Sequence, residues 1–119
     1  MKRKIKFRAK SIDNSEWAFG VIHNDGMTLF PVSVYEKTIC QFTGRHDKNG
    51  KEIYEGDILK HINGYYTCQV LFSERSASYI LVFITPTKPA YDMGIYDVER
   101  CFEVVGNIYD NPELLESKK

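Results

Sequence analysis

The sequence predicts a mainly β domain made of coiled antiparallel hairpins, which form a partly open barrel and end in one short helix. Three observations support this fold class. Side chains of residues 2–10 alternate with period two, with cations on one face of a strand and apolar groups on the other. Asn63-Gly64 separates two apolar runs and is the strongest hairpin signal in the chain. Residues 79–85 are almost wholly apolar, and we expect a strand buried on both faces there.

The N-terminal half is predicted to continue from the first strand as a hairpin. Trp17, Phe19 and Val21 alternate onto one strand face, and the Asn-Asp-Gly sequence at 24–26 is typical of a turn that connects to residues 27–35. Pro31 restricts the returning strand to a sheet edge or a bend, because proline cannot donate to a ladder. We expect another short strand at residues 37–42 and a turn at residues 47–50.

The C-terminal half is predicted to contain four strands and the helix. Residues 58–62 and 65–72 flank the Asn-Gly turn, and the Glu-Gly-Asp sequence before them indicates a turn in which Asp57 accepts backbone hydrogen bonds. After the apolar strand, two prolines and a glycine between positions 86 and 94 indicate a surface loop, and residues 101–108 return as a strand. Asn111 as N-cap and Pro112 as first helical residue predict a helix at residues 112–116.

The predicted core consists of apolar side chains on the inward faces of these elements. It contains Phe7, Trp17, Phe19, Val21, Ile53, Tyr54, Ile58, Val70, Phe72, Ile80, Val82, Ile84, Val104 and Ile108.

Length, composition and charge limit the class of protein. A chain of 119 residues corresponds to one domain, residues 1–119, and 43% hydrophobic residues can supply its core. The 16 Lys and Arg residues balance 16 Asp and Glu residues, whereas nucleic-acid-binding domains more often have an isoelectric point above ~9. No apolar run has the length of a membrane span, so we expect a soluble, cytoplasmic protein without membrane contact.

The cysteines and histidines predict neither a disulfide framework nor a metal site. The cysteines at positions 40, 68 and 101 contain no CxxC pair, so we expect reduced, mostly buried thiols. The histidines at 23, 46 and 61 lack zinc-ligand spacing. Residues 47–52 resemble a calcium loop only in composition, because their glycine falls at the fourth position instead of the sixth. We therefore predict no metal and no cofactor.

No catalytic motif is present, and we predict that the protein is not an enzyme. The sequence lacks GxSxG, a P-loop, GxGxxG and HExxH. One alternative remains open: a small hydrolase that uses Asp57 or Glu55 with one of the histidines, in a cleft that has no recognisable sequence motif.

A cationic ladder on the first strand is the most visible charge feature. It contains Lys2, Lys4, Lys6, Arg8 and Lys10, which share one strand face. These side chains are candidate contacts to nucleic-acid phosphates, with Tyr65 and Tyr66 as stacking surfaces. Alternatively, the lysines protect an edge strand against unwanted pairing, and the zero net charge favours this second interpretation.

Three stretches carry a family resemblance. They read QFTG at 41–44 followed by DKNGKEIYEGDI at 47–58, VGNIYDNPELL at 105–115, and KIKFRA at 4–9. Together they closely resemble the YopX family of phage and prophage proteins. Lys10 stands where the family commonly has tryptophan and Arg45 where it usually has leucine, so we expect different packing at these two positions.

The resemblance implies a β-rich domain with SH3-like barrel character, encoded by a phage or prophage, and it brings no catalytic residues. The leading hypothesis is a non-enzymatic accessory or assembly module in the bacterial cytoplasm, acting as a homo-oligomer or with another phage or host protein. The alternatives are nucleic-acid binding by the basic N-terminal strand and a small enzyme whose site has no recognisable motif. The motif glycines and Asp57 are turn formers, so the signature is interpreted as architectural.

Overall fold

The strands form two antiparallel five-stranded sheets in the computed structural model, which describes residues 5–22, 28–85, 88–95 and 97–115. Sheet 1 contains β1 (Lys6–Lys10), β2 (Trp17–Ile22), β3 (Thr28–Leu29), β4 (Cys40–His46) and β5 (Glu52–Tyr54), in the spatial order β3-β2-β1-β4-β5. Sheet 2 contains β6 (Asp57–His61), β7 (Thr67–Ser73), β8 (Ser78–Thr85), β9 (Lys88–Asp92) and β10 (Phe102–Asn107), in the order β10-β6-β7-β8-β9. The predicted mainly β fold is confirmed.

The two sheets are not closed into a barrel. Closure requires hydrogen bonding between the outermost strands, and in the described part of the chain β3 and β5 end sheet 1 while β9 and β10 end sheet 2. The sheets are instead joined by turns and side chains.

The predicted hairpins are present where the turn chemistry indicates them. Asn63 and Gly64 connect β6 to β7, which pair antiparallel, and Gly64 takes a φ of 76° that suits glycine. Gly50 donates to the Asp47 carbonyl in the turn between β4 and β5. β2 pairs with β3, although the connecting residues 23–27 lie outside the described part of the chain. Pro31 follows β3 in a bend, as predicted.

The turn after β4 also holds the outer edge of sheet 2. The Val104 amide donates to Asp47 Oδ2 at 2.9 Å, and the Lys48 amide donates to the Phe102 carbonyl at 2.9 Å. Asp47 Oδ1 accepts the amides of Asn49 and Lys51 at 2.9 Å each, so one carboxylate forms the turn and covers β10. An edge strand occupied in this way cannot pair with another chain at these two residues.

The core lies mainly between sheet 2 and the segments that cross it. The principal cluster contains Ile53, Leu59, Cys68, Val70, Leu81, Phe83, Met93, Val98 and Phe102, and a smaller one contains Cys40, Phe42 and Tyr54. The cysteine prediction is confirmed, since Cys40 and Cys68 are buried free thiols and Cys101 is half-buried.

The predicted core is correct in part. Ile53, Tyr54, Ile58 and Val70 are buried, whereas seven others are half-buried: Phe7, Trp17, Ile80, Val82, Ile84, Val104 and Ile108. The core prediction is wrong for Phe19 and Phe72, which have 49% and 44% of their surface exposed. The Val21 side chain lies outside what the structure describes. The strand predicted to be buried on both faces has only one fully buried face, because Leu81 and Phe83 enter the core while the alternate side chains remain half-buried.

Three predicted elements differ from the structure. The loop expected between positions 86 and 94 contains the edge strand β9, where Pro89 is tolerated. The strand expected at residues 37–42 begins with a 3₁₀ turn at Glu36–Thr38 and becomes β4 from Cys40. The C-terminal helix is a 3₁₀ turn at Pro112–Leu115, and the α-helix of the described residues, α1 (Val98–Cys101), precedes β10.

Candidate functional site

The strand that carries the cationic ladder is an inner strand. β1 pairs with β2 on one side and with β4 on the other. The edge-protection interpretation is therefore wrong, since both sides of this backbone are already hydrogen-bonded. Lys2 and Lys4 lie outside the described residues, so the structure places Lys6, Arg8 and Lys10.

Arg8 is buried between the two sheets. Its guanidinium lies 4.3 Å from the centroid of the Trp17 ring and 4.6 Å from that of Tyr54. It also donates to the Asp57 carboxylate of β6 at 2.5 Å, with 8% of the Arg8 side chain and 1% of the Asp57 side chain exposed. Arg8 therefore stabilises the fold, because its guanidinium contacts two aromatic rings and a carboxylate and little of its charge faces solvent.

The two ladder lysines that the structure describes, Lys6 and Lys10, are also paired. Lys6 Nζ lies 2.9 Å from Glu52 Oε1 and 5.2 Å from the centroid of the Phe19 ring. Lys10 Nζ bonds to Asp110 at 2.5 Å and lies 4.4 Å from the centroid of Trp17. Phosphate contact by this ladder stays a prediction, and these lysines would have to exchange a carboxylate partner to make it.

Strand register explains why the predicted core aromatics lie on this face. Arg8 is the cross-strand partner of Phe19, and Lys10 is the partner of Trp17. Partners in an antiparallel pair point to the same side of the sheet, so the aromatic stripe of β2 covers the cations of β1. Side-chain alternation in β1 and in β2 predicted one cationic face and one aromatic face. It did not predict that the two strands pair so that these faces lie on the same side of the sheet.

Asp57 behaves as the turn prediction indicates and has a partner that the sequence did not reveal. Its Oδ2 accepts the Tyr54 amide at 2.8 Å while Oδ1 binds Arg8. Burial raises the pKa of Asp57, and the Arg8 charge and the Tyr54 amide oppose this shift. Asp57, one of the two carboxylates considered for a hydrolase, is thus buried and bonded to Arg8 and the Tyr54 amide. The other, Glu55, is half-buried.

The candidate stacking residues belong to the other sheet. Tyr65 is 62% exposed after the β6–β7 turn, and it meets Tyr66 edge-on at 4.9 Å between ring centroids. Tyr66 packs against Phe83 and His61 instead of presenting its face. The ladder lies in sheet 1, so the cations and tyrosines are placed on different sheets, and their contact with nucleic acid stays a prediction.

The histidines that the structure describes pack against aromatic rings. His46 lies 5.6 Å from the ring centroid of Phe42, and His61 lies 5.0 Å from that of Phe102. Within residues 5–22, 28–85, 88–95 and 97–115, no three His, Cys, Asp or Glu side chains gather as metal ligands would. His23 lies outside these residues.

An open apolar groove runs along the outer side of β2, and the sequence did not predict it. Its cavity volume is about 430 Å³, and its lining consists of Ser11, Asn14, Glu16, Trp17, Ala18, Phe19, Pro31 and Val32. We call this the β2 groove. β3 pairs only with Val21 and Ile22, so residues 17–20 have a paired strand on one side alone in the part of the chain that is described.

The wall of the β2 groove is positioned by the segment that follows β3. Ser11 forms an isolated antiparallel bridge with Val34, and the Ile12 amide donates to the Ser33 carbonyl at 3.0 Å. These bonds hold Pro31 and Val32 opposite β2, with Val32 43% exposed. Aromatic and aliphatic surface beside a partly unpaired strand is suited to binding another polypeptide.

The C-terminal segment encloses the other side of the same aromatic residues. Asp110 accepts Trp17 Nε1 at 3.1 Å and Asn107 Nδ2 at 3.0 Å, which ties the chain after β10 to β2. Tyr109 meets Trp17 edge-on at 6.0 Å and donates through its hydroxyl to the Lys37 carbonyl. Arg8 of the first motif of the family resemblance and Tyr109 of the C-terminal motif thus both contact Trp17.

The signature residues are architectural. Gly56 has a φ of 90°, and a Cβ there would contact the Ile108 and Cys40 side chains at 3.6–3.7 Å. A Cβ on Gly106 would come within 2.6 Å of Asn111 Oδ1, which accepts the Asn107 amide. Gly56 holds a backbone conformation that favours glycine, and Gly106 leaves room for the Asn111 side chain to fold back onto β10.

The two departures from the family pattern both form ion pairs. Lys10 binds Asp110 over the Trp17 ring. Arg45 forms a double hydrogen bond with Glu99 of α1, at 2.7 Å through Nε and 2.6 Å through Nη2. Arg45 holds the pKa of Glu99 at about 2, well below its usual range, and the pair ties β4 to α1.

These features define a mainly β domain whose sheets are joined by a buried cation–aromatic cluster and which carries an open apolar groove. The model of the family described as YopX protein matches residues 3–116, and the chain belongs to this family. No curated protein matches the chain.

A membrane-crossing helix is not found in the described residues, since none of their helices is long and apolar enough.

Proposed function

We propose that this YopX-family domain is a non-enzymatic accessory or assembly module of a phage or prophage, acting by protein association in the cytoplasm of the bacterial host. The β2 groove is the observation that carries the proposal. It combines the exposed Phe19 and Val32 side chains with a strand segment that is paired on one side. Such surfaces are typical of polypeptide-binding sites.

The use of the ionisable signature residues supports a non-enzymatic role. Asp47 and Asp57 accept backbone amides, and Asp57 binds Arg8 inside the protein. A general acid or base needs a side chain that can reach a substrate proton, and these carboxylates are already hydrogen-bonded within the fold. These contacts therefore support a role for Asp47 and Asp57 in stabilising the fold that carries the β2 groove.

Molar mass measured by light scattering over a range of concentrations tests the proposal. We expect the wild-type chain to form assemblies larger than its monomer mass of 13.8 kDa. Val32→Asp places a charge in the groove at an exposed position and should lower the mass to that of the monomer. Phe72→Ser, which removes an equally exposed apolar ring from another hairpin, should leave the mass unchanged. A wild-type protein that stays monomeric at its highest soluble concentration contradicts self-assembly.

A further inference from the structure

The β6–β7 hairpin ends in two exposed apolar side chains. Ile62 and Tyr65 flank the Asn63-Gly64 turn with 58% and 62% of their surface exposed, more than the other large apolar residues of the described chain. The turn is well ordered by hydrogen bonds: Asn63 Oδ1 accepts the Tyr65 amide at 2.7 Å, and His61 Nδ1 accepts the Asn63 amide at 3.1 Å. The hairpin therefore presents a rigid apolar tip, here called the hairpin tip, made of Ile62 and Tyr65.

The hairpin tip and the β2 groove lie toward opposite ends of β10. β10 begins at Phe102 opposite His61, beside the tip, and ends at Asn107 opposite Asp57. At ~3.3 Å per residue this strand separates its ends by ~17 Å. The groove belongs to the Asn107 end, since Asn107 and Trp17 both bond to Asp110. A tip at one end and a groove at the other can meet only between two molecules.

The charges around the two surfaces are complementary. Asp13 and Glu16 are exposed at the groove, where Glu16 is part of the lining and the Asp13 amide bonds to the groove residue Ser11. The nearby cations of β1 are already paired with Glu52 and Asp110, which leaves an acidic rim.

The hairpin side has an excess of cations. Lys60 is exposed one residue before His61, and exposed Lys48 lies beside Phe102 through its backbone amide. Exposed Lys51 of the Asp47 turn adds a third cation, and Glu103, opposite Lys60, and the Asp47 carboxylate offset two of these three charges. Opposite local charges favour approach of tip to groove over approach of groove to groove.

We propose that the hairpin tip of one copy of this chain inserts into the β2 groove of a second copy, so that the copies associate head to tail. This inference rests on the proposed assembly function and specifies its contact. Tip and groove are different surfaces, so the contact is heterologous and repeats into a ring or a filament instead of stopping at a symmetric dimer.

Complementation between two defective variants tests the head-to-tail contact. Tyr65→Ser removes the tip and keeps the groove, whereas Val32→Asp blocks the groove and keeps the tip. We expect each variant alone to be monomeric by light scattering. An equimolar mixture should give a species of two chains and nothing larger, because only one productive tip–groove contact remains. Ile62→Ser should repeat the effect of Tyr65→Ser, and Phe72→Ser should assemble as the wild type does.

The outcomes separate this inference from the proposed function. If the wild type assembles and the tip variants assemble equally well, the head-to-tail contact is wrong while self-assembly stands. If both single variants are monomeric and their mixture stays monomeric, the intact tip of one variant does not bind the intact groove of the other, and the head-to-tail contact is again wrong. If Tyr65→Ser assembles and Val32→Asp does not, the groove pairs with another groove, which also contradicts the head-to-tail contact. Cooperative unfolding transitions near the wild-type temperature show that Tyr65→Ser and Val32→Asp are folded, as expected for changes at exposed positions.

Discussion

The Arg8 guanidinium and the Asp57 carboxylate form a buried ion pair that joins β1 of sheet 1 to β6 of sheet 2. The guanidinium also lies over the rings of Trp17 and Tyr54. The carboxylate offsets the free-energy cost of burying the Arg8 charge. The pair also links two sheets whose outermost strands are not hydrogen-bonded to each other in the described part of the chain. A residue of the ladder that suggests phosphate binding is thus part of the framework.

Removal of one partner of this pair should strongly destabilise the protein. We expect Asp57→Asn to lower the free energy of unfolding by about 3–5 kcal/mol, because Arg8 remains buried without a full counter-charge. Urea denaturation followed by tryptophan fluorescence measures the loss through Trp17. Arg100→Gln is the control: Arg100 and its partner Asp97 are 83% and 49% exposed, and such pairs contribute about 0–1 kcal/mol. Equal losses for the two variants would contradict a special role for Arg8 and Asp57.

The correction of the core can be tested with two phenylalanines. Phe102 is fully buried, so Phe102→Ala should cost about 3–5 kcal/mol of unfolding free energy. Phe72 was predicted in the core and is 44% exposed, so Phe72→Ala should cost distinctly less. Thermal and urea unfolding of the two variants under identical conditions gives the comparison. A larger loss at Phe72 would show that the hairpin end packs differently.

Acid should weaken the contact between β4 and α1. The double hydrogen bond from Arg45 lowers the pKa of Glu99 from its ordinary value of 4.5 to about 2 in the fold. A depressed folded pKa gives stability that is fully present above the unfolded pKa and is lost as pH falls from about 4.5 to about 2. We expect Glu99→Gln to remove this part of the pH dependence while other carboxylates still titrate. Unfolding free energies of both proteins between neutral pH and pH 3 test it, and parallel curves would contradict the assignment.

The nucleic-acid alternative has a quantitative signature. Five phosphate contacts would give a slope of log affinity against log salt of about −3.5 to −4.5. Lys6, Arg8 and Lys10 are paired with carboxylates, so we expect any binding to have a slope no steeper than about −1.8, the value for two contacts on duplex DNA. Mobility shifts between low and moderate salt measure the slope. A steep slope that Lys6→Gln flattens would restore the ladder as a phosphate-binding surface.

Local chemistry explains which elements were predictable. The Asn63-Gly64 turn, the Asp47 turn, the bend at Pro31 and the backbone hydrogen bond to Asp57 all depend on residues adjacent in sequence. The same is true of the free thiols, because cysteine count and spacing already exclude a framework. β9 was missed because Pro89 within it and Pro86 before it indicate a loop, and only its pairing with β8 makes it a strand.

Alternation, turn chemistry and motif spacing were sufficient to predict the mainly β class, the hairpins and the family, because they are properties of neighbouring residues. Tertiary structure alone decided which side of β8 enters the core, that the cations of β1 meet the aromatics of β2, and that Arg8 pairs with Asp57 across 49 residues. It also decided the β2 groove, which depends on where β3 ends beside β2. The physical reason is that side-chain alternation defines two faces for a strand without stating what packs on either, and that choice depends on register and on partners distant in the chain.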